Sequence, residues 1–240
     1  MKNKPSYGID APGVIRLFLF IAAVIILLSQ VFPELHIGAA VVQTRYFIWT
    51  GLYFLLVGVL MLLYSLWGKY HHRDRMLKLV QWTGDEVVLD VGTGKGLLMI
   101  GAAKKLTSGL STGIDIWKAK DLSDNNAEST LHNARLEGVE ARVSIKTEDV
   151  TQLSFPENTF NTILSNLCLH NIPNRAGRDK ACQEIARVLK PGGIAIIADF
   201  KNIRQYKKQF DALGFETQLI YSSFFASFPP LTILKAVKAG

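Results

Sequence analysis

From Tyr46 to Trp67 the chain runs for 22 residues without a charged side chain. As a helix that is about 33 Å, close to the thickness of a bilayer's hydrocarbon core. An earlier stretch is apolar without interruption from Leu17 to Leu28 and extends to Phe32 across Ser29 and Gln30. Between residues 14 and 67 only Arg16, Glu34 and Arg45 are charged. Two buried helices of a soluble core are the competing reading, and the length of the second stretch argues against them. The residues that follow, roughly 170 of them, suffice for a self-supporting core. The expected division is an N-terminal membrane anchor over 1–68, with helices at about 14–32 and 46–67, and one α/β domain over 69–240.

Flanking residues give the orientation. Tyr46, Phe47 and Trp49 sit at one end of the second segment and Tyr64 and Trp67 at the other, where an interfacial aromatic belt belongs. Lys2 and Lys4 precede the first segment; Lys69, Arg73, Arg75 and Lys78 follow the second; the connection 33–45 offers only Arg45. By the positive-inside rule both ends face the cytoplasm, and the leader is a multi-pass helical hairpin. A cleaved signal peptide fits the first segment poorly: its polar lead is long, and an uncleaved apolar segment follows.

After residue 68 there are 23 basic and 18 acidic groups, a net +5. No block of like charge stands out, so no nucleic-acid partner is expected, and a weakly basic surface beside anionic membrane lipid is the simpler reading. Cys168 and Cys182 form neither a disulfide framework nor a metal pattern; a reducing compartment and no metal site are expected.

Strand-like and helix-like segments alternate from Glu86 onward. Strands are expected at Glu86–Val91, Ser111–Ile116, Arg142–Lys146, Thr159–Ser165 and Ile194–Ala198, and helices at Gly96–Leu106, Leu122–Leu136 and Arg178–Leu189. That rhythm predicts an open, Rossmann-like parallel sheet with helices on both faces and ligands beyond the carboxyl ends of the strands. The first strand runs into "VLDVGTGKG", Val88–Gly96. A phosphate loop would need a hydroxyl residue after its lysine, and a dinucleotide fingerprint would place its third glycine at position 97. The spacing G-x-G-x-G instead suits a ligand without pyrophosphate, with Gly92 and Gly94 admitting it and Gly96 packing helix to strand. Asp115 closes strand two, where it can accept from both hydroxyls of a ribose, with Ile116 and Trp117 flanking the base. Asp149 closes strand three and can accept from an exocyclic amine.

With "GIDIW", "TEDVTQLSFPENTFNTILSNLCLHNI" and "EIARVLKPGGIAIIADF" added to the glycine turn, Val87–Phe200 resembles the class I S-adenosylmethionine-dependent methyltransferases, closest to the ubiquinone and menaquinone biosynthesis group. The resemblance covers about half the chain. It implies a mostly parallel sheet of seven strands, the last antiparallel and supplied by "LTILKAVK". It implies S-adenosylmethionine as cofactor, with Asp90, Gly92, Thr93, Gly94 and Gly96 at its methionine end. Asp115 would hold the ribose, Ile116, Asp149 and Val150 the adenine, and Asn166 and Leu167 the floor beneath. "KPGG" would be a structural turn into strand five. Asn161 departs from the family's usual Asp, and the helical insertion after strand five is absent, so another segment must cover the substrate. The end of the hairpin, Tyr70–Met76, is the expected cover.

Methyl transfer from a sulfonium mainly requires alignment, with a base only where the acceptor keeps its proton. His170 is the candidate base and Asn166 a candidate orienting group, while Cys168 reads as packing. No [DN]-P-P-[YF] follows strand four, which argues against exocyclic amines of DNA bases. In Lys201–Phe210, Ile203, Tyr206 and Phe210 form a stripe opposite Arg204, Lys207 and Lys208; it either rests on lipid or packs on the sheet. Tyr221–Pro230 is aromatic enough to form an apolar rim at the pocket. The function expected is a membrane-anchored methyltransferase acting on a lipophilic small molecule, isoprenoid, quinone-like or lipid. A methyltransferase of small soluble thiols or amines and a non-catalytic cofactor-binding subunit of a membrane complex are the alternatives.

Overall fold

The computed structural model describes residues 4–118, 120–222 and 227–240. Lys2 and residues 223–226 of the expected aromatic rim lie outside the described residues. Seven strands form one sheet: β1 (Val87–Val91), β2 (Leu110–Asp115), β3 (Val143–Thr147), β4 (Phe160–Asn166), β5 (Leu189–Asp199), β6 (Phe215–Tyr221) and β7 (Thr232–Lys238). Their spatial order is β3-β2-β1-β4-β5-β7-β6. All neighbours are parallel except β7, which runs antiparallel to both β5 and β6, as expected of "LTILKAVK". The central strands carry near-continuous Val, Ile, Leu and Ala because helices cover both faces, leaving no side to face water.

The helices are α1 (Pro12–Val31), α2 (Thr44–Leu77), α3 (Leu97–Ala103), α4 (Ala127–Leu136), α5 (Arg175–Val188) and α6 (Ile203–Ala212). On one face, Met76 and Leu77 at the end of α2 pack with Leu98 and Ala102 of α3 against Val88, Leu164 and Ile196. On the other, Ala181, Cys182 and Ile185 of α5 and Ile203, Tyr206 and Phe210 of α6 cover Leu89, Ile163 and Ile197. The stripe of α6 is therefore spent on the core, and only its basic side faces outward; this helix has no apolar face left for lipid. Tyr70–Met76 is likewise no lid, since Met76 is fully buried under the sheet.

Two local expectations shift. The helix expected from Leu122 begins at Ala127, because Asn126 caps it by accepting from the Ser129 amide at 2.8 Å and the polar run before it folds as a loop. "KPGG" lies inside β5 as an irregularity rather than before it: Phe160 pairs with Leu189, then Thr162 with Ile194. Asn161, the departure from the family pattern, accepts from the Val87 amide at 2.9 Å and from Lys190 at 3.1 Å, so it stitches strand starts far from the site.

α1 and α2 form an antiparallel hairpin tipped by a short ribbon pairing Leu35–Ile37 with Ala40–Val42. Helices of a soluble core would be mostly buried, yet only 17% of the most apolar stretch of α1 and 11% of that of α2 is buried. Both are long and apolar enough to cross a membrane. Close approach is made at Gly51 and Gly58 of α2, where an added Cβ would lie 2.6 Å from Ile26 and 2.9 Å from Leu19. At the base, residues 6–11 are sewn into the α/β domain. Ser6 exchanges backbone–side-chain hydrogen bonds with Asn133, Tyr7 is buried and donates to Glu137, and Ala11 donates to the Asp121 carbonyl. α2 itself continues unbroken into the core through a π-helical turn at Tyr64–Gly68.

Candidate active site

Strand register places the site. Val91, the last residue of β1, pairs with Ile114 of β2 and Ser165 of β4, so the next residues, Asp115 and Asn166, flank Gly92 on either side. This is where the strand order reverses, the crevice in which open α/β sheets bind ligands. The turn is held by backbone donors: Gly92 and Thr93 both donate to the Ile114 carbonyl, at 2.9 and 3.0 Å, and Gly94 donates to Oδ2 of Asp115 at 2.8 Å. Gly92 (φ 72°) and Gly94 (φ 52°) are left-handed, a conformation that costs a side-chain-bearing residue. A Cβ on Gly92 would meet Sγ of Cys168 at 2.3 Å. The bareness there makes room for the loop after β4, and a Cβ on Gly94 would press on Leu122 of the cavity lining at 2.9 Å.

A cavity of about 870 Å³ opens over the turn. That lies near the upper end of what a drug-sized ligand fills, and leaves room for a second. Of the residues singled out from the sequence, Gly92, Gly94, Asp115, Ile116, Asp149, Val150, Asn166, Leu167 and His170 line it. Asp90, Thr93, Gly96 and Trp117 do not. Asp90 sits within β1, 1% exposed, and its Oδ2 accepts from the Thr93 hydroxyl at 2.8 Å and the Met99 amide at 2.9 Å. It knots the turn to the start of α3 from behind; burial pushes its carboxyl up to about 7, against the pull of those two donors. The space at Gly96 is bounded by Ile100 and by Thr130 of α4, so its packing is helix against helix, not helix against strand. Trp117 turns away, its indole nitrogen donating to Thr147 at 2.8 Å, which leaves Ile116 alone for the base expected there.

Five carboxylates (Asp10, Asp115, Asp121, Glu148 and Asp149) and two lysines (Lys118 and Lys120) line the cavity. Such a wall favours a cationic ligand. Asp115 uses one lone pair of each oxygen on the amides of Gly94 and Trp117 and keeps others able to accept from a ligand's hydroxyls. Oδ1 of Asn166 is buried without a partner, and Leu167 holds a left-handed φ of 53° at the end of β4. Strain and unpaired polarity at strand tips are features of sites.

His170 lies one short turn beyond β4. Its Nδ1 stands 2.9 Å from Oδ1 of Asp199, a close contact without hydrogen-bond alignment, and its ring meets Phe200 edge-on at 4.7 Å. Asp199 is fully buried and also accepts from the amides of His170 and Phe200. Sequence reasoning passed over Asp199, although an acid closing the run "IAIIA" carries the same signal as Asp115 closing β2. Burial, chiefly, and the surrounding carboxylates push the Cys168 thiol well up, which keeps it protonated and inert.

Residues 89–197 match the family of methyltransferase domains. The domain belongs to the class I S-adenosylmethionine-dependent methyltransferases. It is similar to a ubiquinone/menaquinone biosynthesis C-methyltransferase of Hydrogenovibrio crunogenus, 30% identical over 54% of this chain and 48% of that protein. It is similar also to a demethylmenaquinone methyltransferase of Tropheryma whipplei, 32% identical over 58% of this chain and 52% of the other. The chain thus spans about half the length of these relatives. Among solved structures, an S-adenosylmethionine-dependent methyltransferase from Aquifex aeolicus shares the fold with TM-score 0.55 at 18% identity, over 69% of this chain and 88% of that one. For this methyltransferase domain S-adenosylmethionine is the cofactor, and the acidic wall, the bare turn and the apolar faces of Ile116 and Val150 fit an adenosyl sulfonium.

Proposed function

We propose that the protein is a membrane-anchored, cytoplasm-facing enzyme that transfers a methyl group from S-adenosylmethionine to a lipophilic small molecule of isoprenoid, quinone-like or lipid character. One observation carries this reading. An exposed apolar hairpin of bilayer length is joined, without a linker, to the domain that holds the cofactor cleft. An apolar surface of that extent is stable only against lipid or a partner. The lysines and arginines at both ends of the hairpin support a domain on the cytoplasmic side by the positive-inside rule.

When bound, the cofactor supplies a methyl group activated by a sulfonium, whose S–CH3 bond breaks with the electron pair kept by sulfur. Asp115 binds the ribose, Asp149 and Val150 take the base, and Ile116 covers it. Most of the protein's contribution is holding the partners in line. Where the acceptor is a hydroxyl or an activated ring carbon, a proton must leave, and Nε2 of His170 receives it. The fully buried Asp199 orients that ring through Nδ1 and faces the charge it gains. Asn166 orients the acceptor beside it.

The test compares methylated products from extracted lipids with those from a panel of soluble thiols and amines, using the full-length protein. Product from the lipid fraction is expected. Turnover confined to the soluble panel would reject the lipophilic acceptor, and tight cofactor binding with no product from either would reject catalysis.

A further inference from the structure

The cavity continues beyond the cofactor wall. Past Asn166 and Tyr64 it is lined by Phe18 of α1 and by Tyr53, Val57 and Met61 of α2. Positions 53, 57, 61 and 64 recur every three or four residues and form one stripe of the helix. From Tyr64 to Tyr53 is about 16 Å along the axis, so the stripe is a groove running from the cofactor cleft into the apolar length of the hairpin. Tyr53, at the outer end of the stripe, is 63% exposed, so the groove lies open there, whereas Phe20 and Leu56 are exposed and do not line it.

Where groove meets cleft, the polarity changes abruptly. Oη of Tyr64 and Oδ1 of Asn166, both on the cavity lining, are buried and without hydrogen-bond partners, and Tyr64 is 6% exposed. Buried polar atoms are nearly always paired, so unpaired atoms gathered at a cavity point to a polar group from a ligand. The π-helical turn begins at Tyr64 itself, and such turns recur at functional sites. The groove is also held in register with the cleft. Lys69, 3% exposed, donates to the carbonyls of Tyr7 and Gly8 at 2.7 and 2.6 Å, and Ser65 bonds Asp10 at 3.0 Å.

We propose that this groove binds the apolar chain of the methyl acceptor while Tyr64 and Asn166 take a hydroxyl or carbonyl on its head. The hairpin is then part of the substrate site as well as an anchor, and the acceptor enters sideways from the bilayer with its tail still in apolar surroundings. Acceptors of this class have a compact hydrogen-bonding head and a tail long enough to follow three turns of α2. The identity of the reacting head rests on the methyl-transfer reading; occupation of the groove by a chain does not.

The probe is an alkyl hydroquinone with a diazirine in mid-chain, irradiated with the full-length protein in phospholipid nanodiscs and mapped by peptide mass spectrometry. Labels are expected on Phe18, Tyr53, Val57 or Met61, displaced by excess hydroquinone of the same chain length. Val57→Trp, which fills the groove, is expected to cut that labelling roughly ten-fold or more. It is also expected to lower the preference for the long-chain over a chainless hydroquinone by a similar factor, with cofactor affinity reporting that the fold persists. Labels spread over outward positions such as Phe20 and Leu56 and indifferent to competitor would overturn the proposal, even if the variant failed to fold. Competed labels in the groove with no methylated product would leave the chain site standing and remove the methyl-transfer reading instead.

Discussion

The cavity has two walls of opposite character. The strand-tip wall is polar and acidic, and apart from Oδ1 of Asn166 and Nδ1 of His170 it is well hydrogen-bonded: the turn amides, Asp115 and Asp199 all have partners within a few residues of a strand end. The hairpin wall is mostly apolar, and Oη of Tyr64 in it is unpaired. The first is built to hold a ligand with many donors in one pose. The second suits a ligand that brings its own polar group and otherwise slides. On the proposed reading, a rigid cofactor site faces a permissive acceptor site.

Variants separate the walls. The largest effect is expected at His170→Gln, which lowers kcat by about 10²–10⁴ while cofactor affinity stays put; an unchanged kcat would remove the base from the strand-tip wall. Asp115→Ala removes a charged acceptor and costs about 1.5–3 kcal/mol of S-adenosylmethionine binding, read by calorimetry. Equal affinity in that variant would take Asp115 out of the site. In the hairpin behind the other wall, Gly58→Leu forces a side chain against Leu19 and is expected to cost about 1–3 kcal/mol in hairpin stability. Thermal unfolding with and without cofactor checks it, and a matching loss of cofactor affinity would show the walls to be one unit. The smallest effect concerns pH. Asp90 holds its proton up to about 7 in the folded chain but only to the ordinary carboxylate range when unfolded. Between those values the folded state binds the extra proton, so stability falls as pH rises through the window and then levels. Asp90→Asn is expected to flatten that slope, and an unaltered slope would assign it elsewhere.

The two walls were also unequally legible. Every strand of the parallel set, the glycine turn and Asp115 could be read because alternation and turn chemistry are local. Trp117 could not be placed, since its ring orientation depends on Thr147 of a neighbouring strand. Asp90, expected at the cofactor's methionine end, lies one residue inside β1, which is enough to bury it behind the turn. The base of the hairpin escaped for a different reason. Ser6 and Tyr7 find partners 127 and 130 residues away, beyond any local pattern. The stripe of Tyr53, Val57 and Met61 is silent in sequence, because a helix apolar all round shows no contrast between its faces.

The central claim is that methyl transfer takes place between these walls, to an acceptor resident in the membrane. Membranes bearing the full-length protein, incubated with isotopically labelled methyl donor and extracted, should yield label in a lipid-soluble product by mass spectrometry, and His170→Gln membranes should not. Label confined to the aqueous phase, or equal in both preparations, would contradict it.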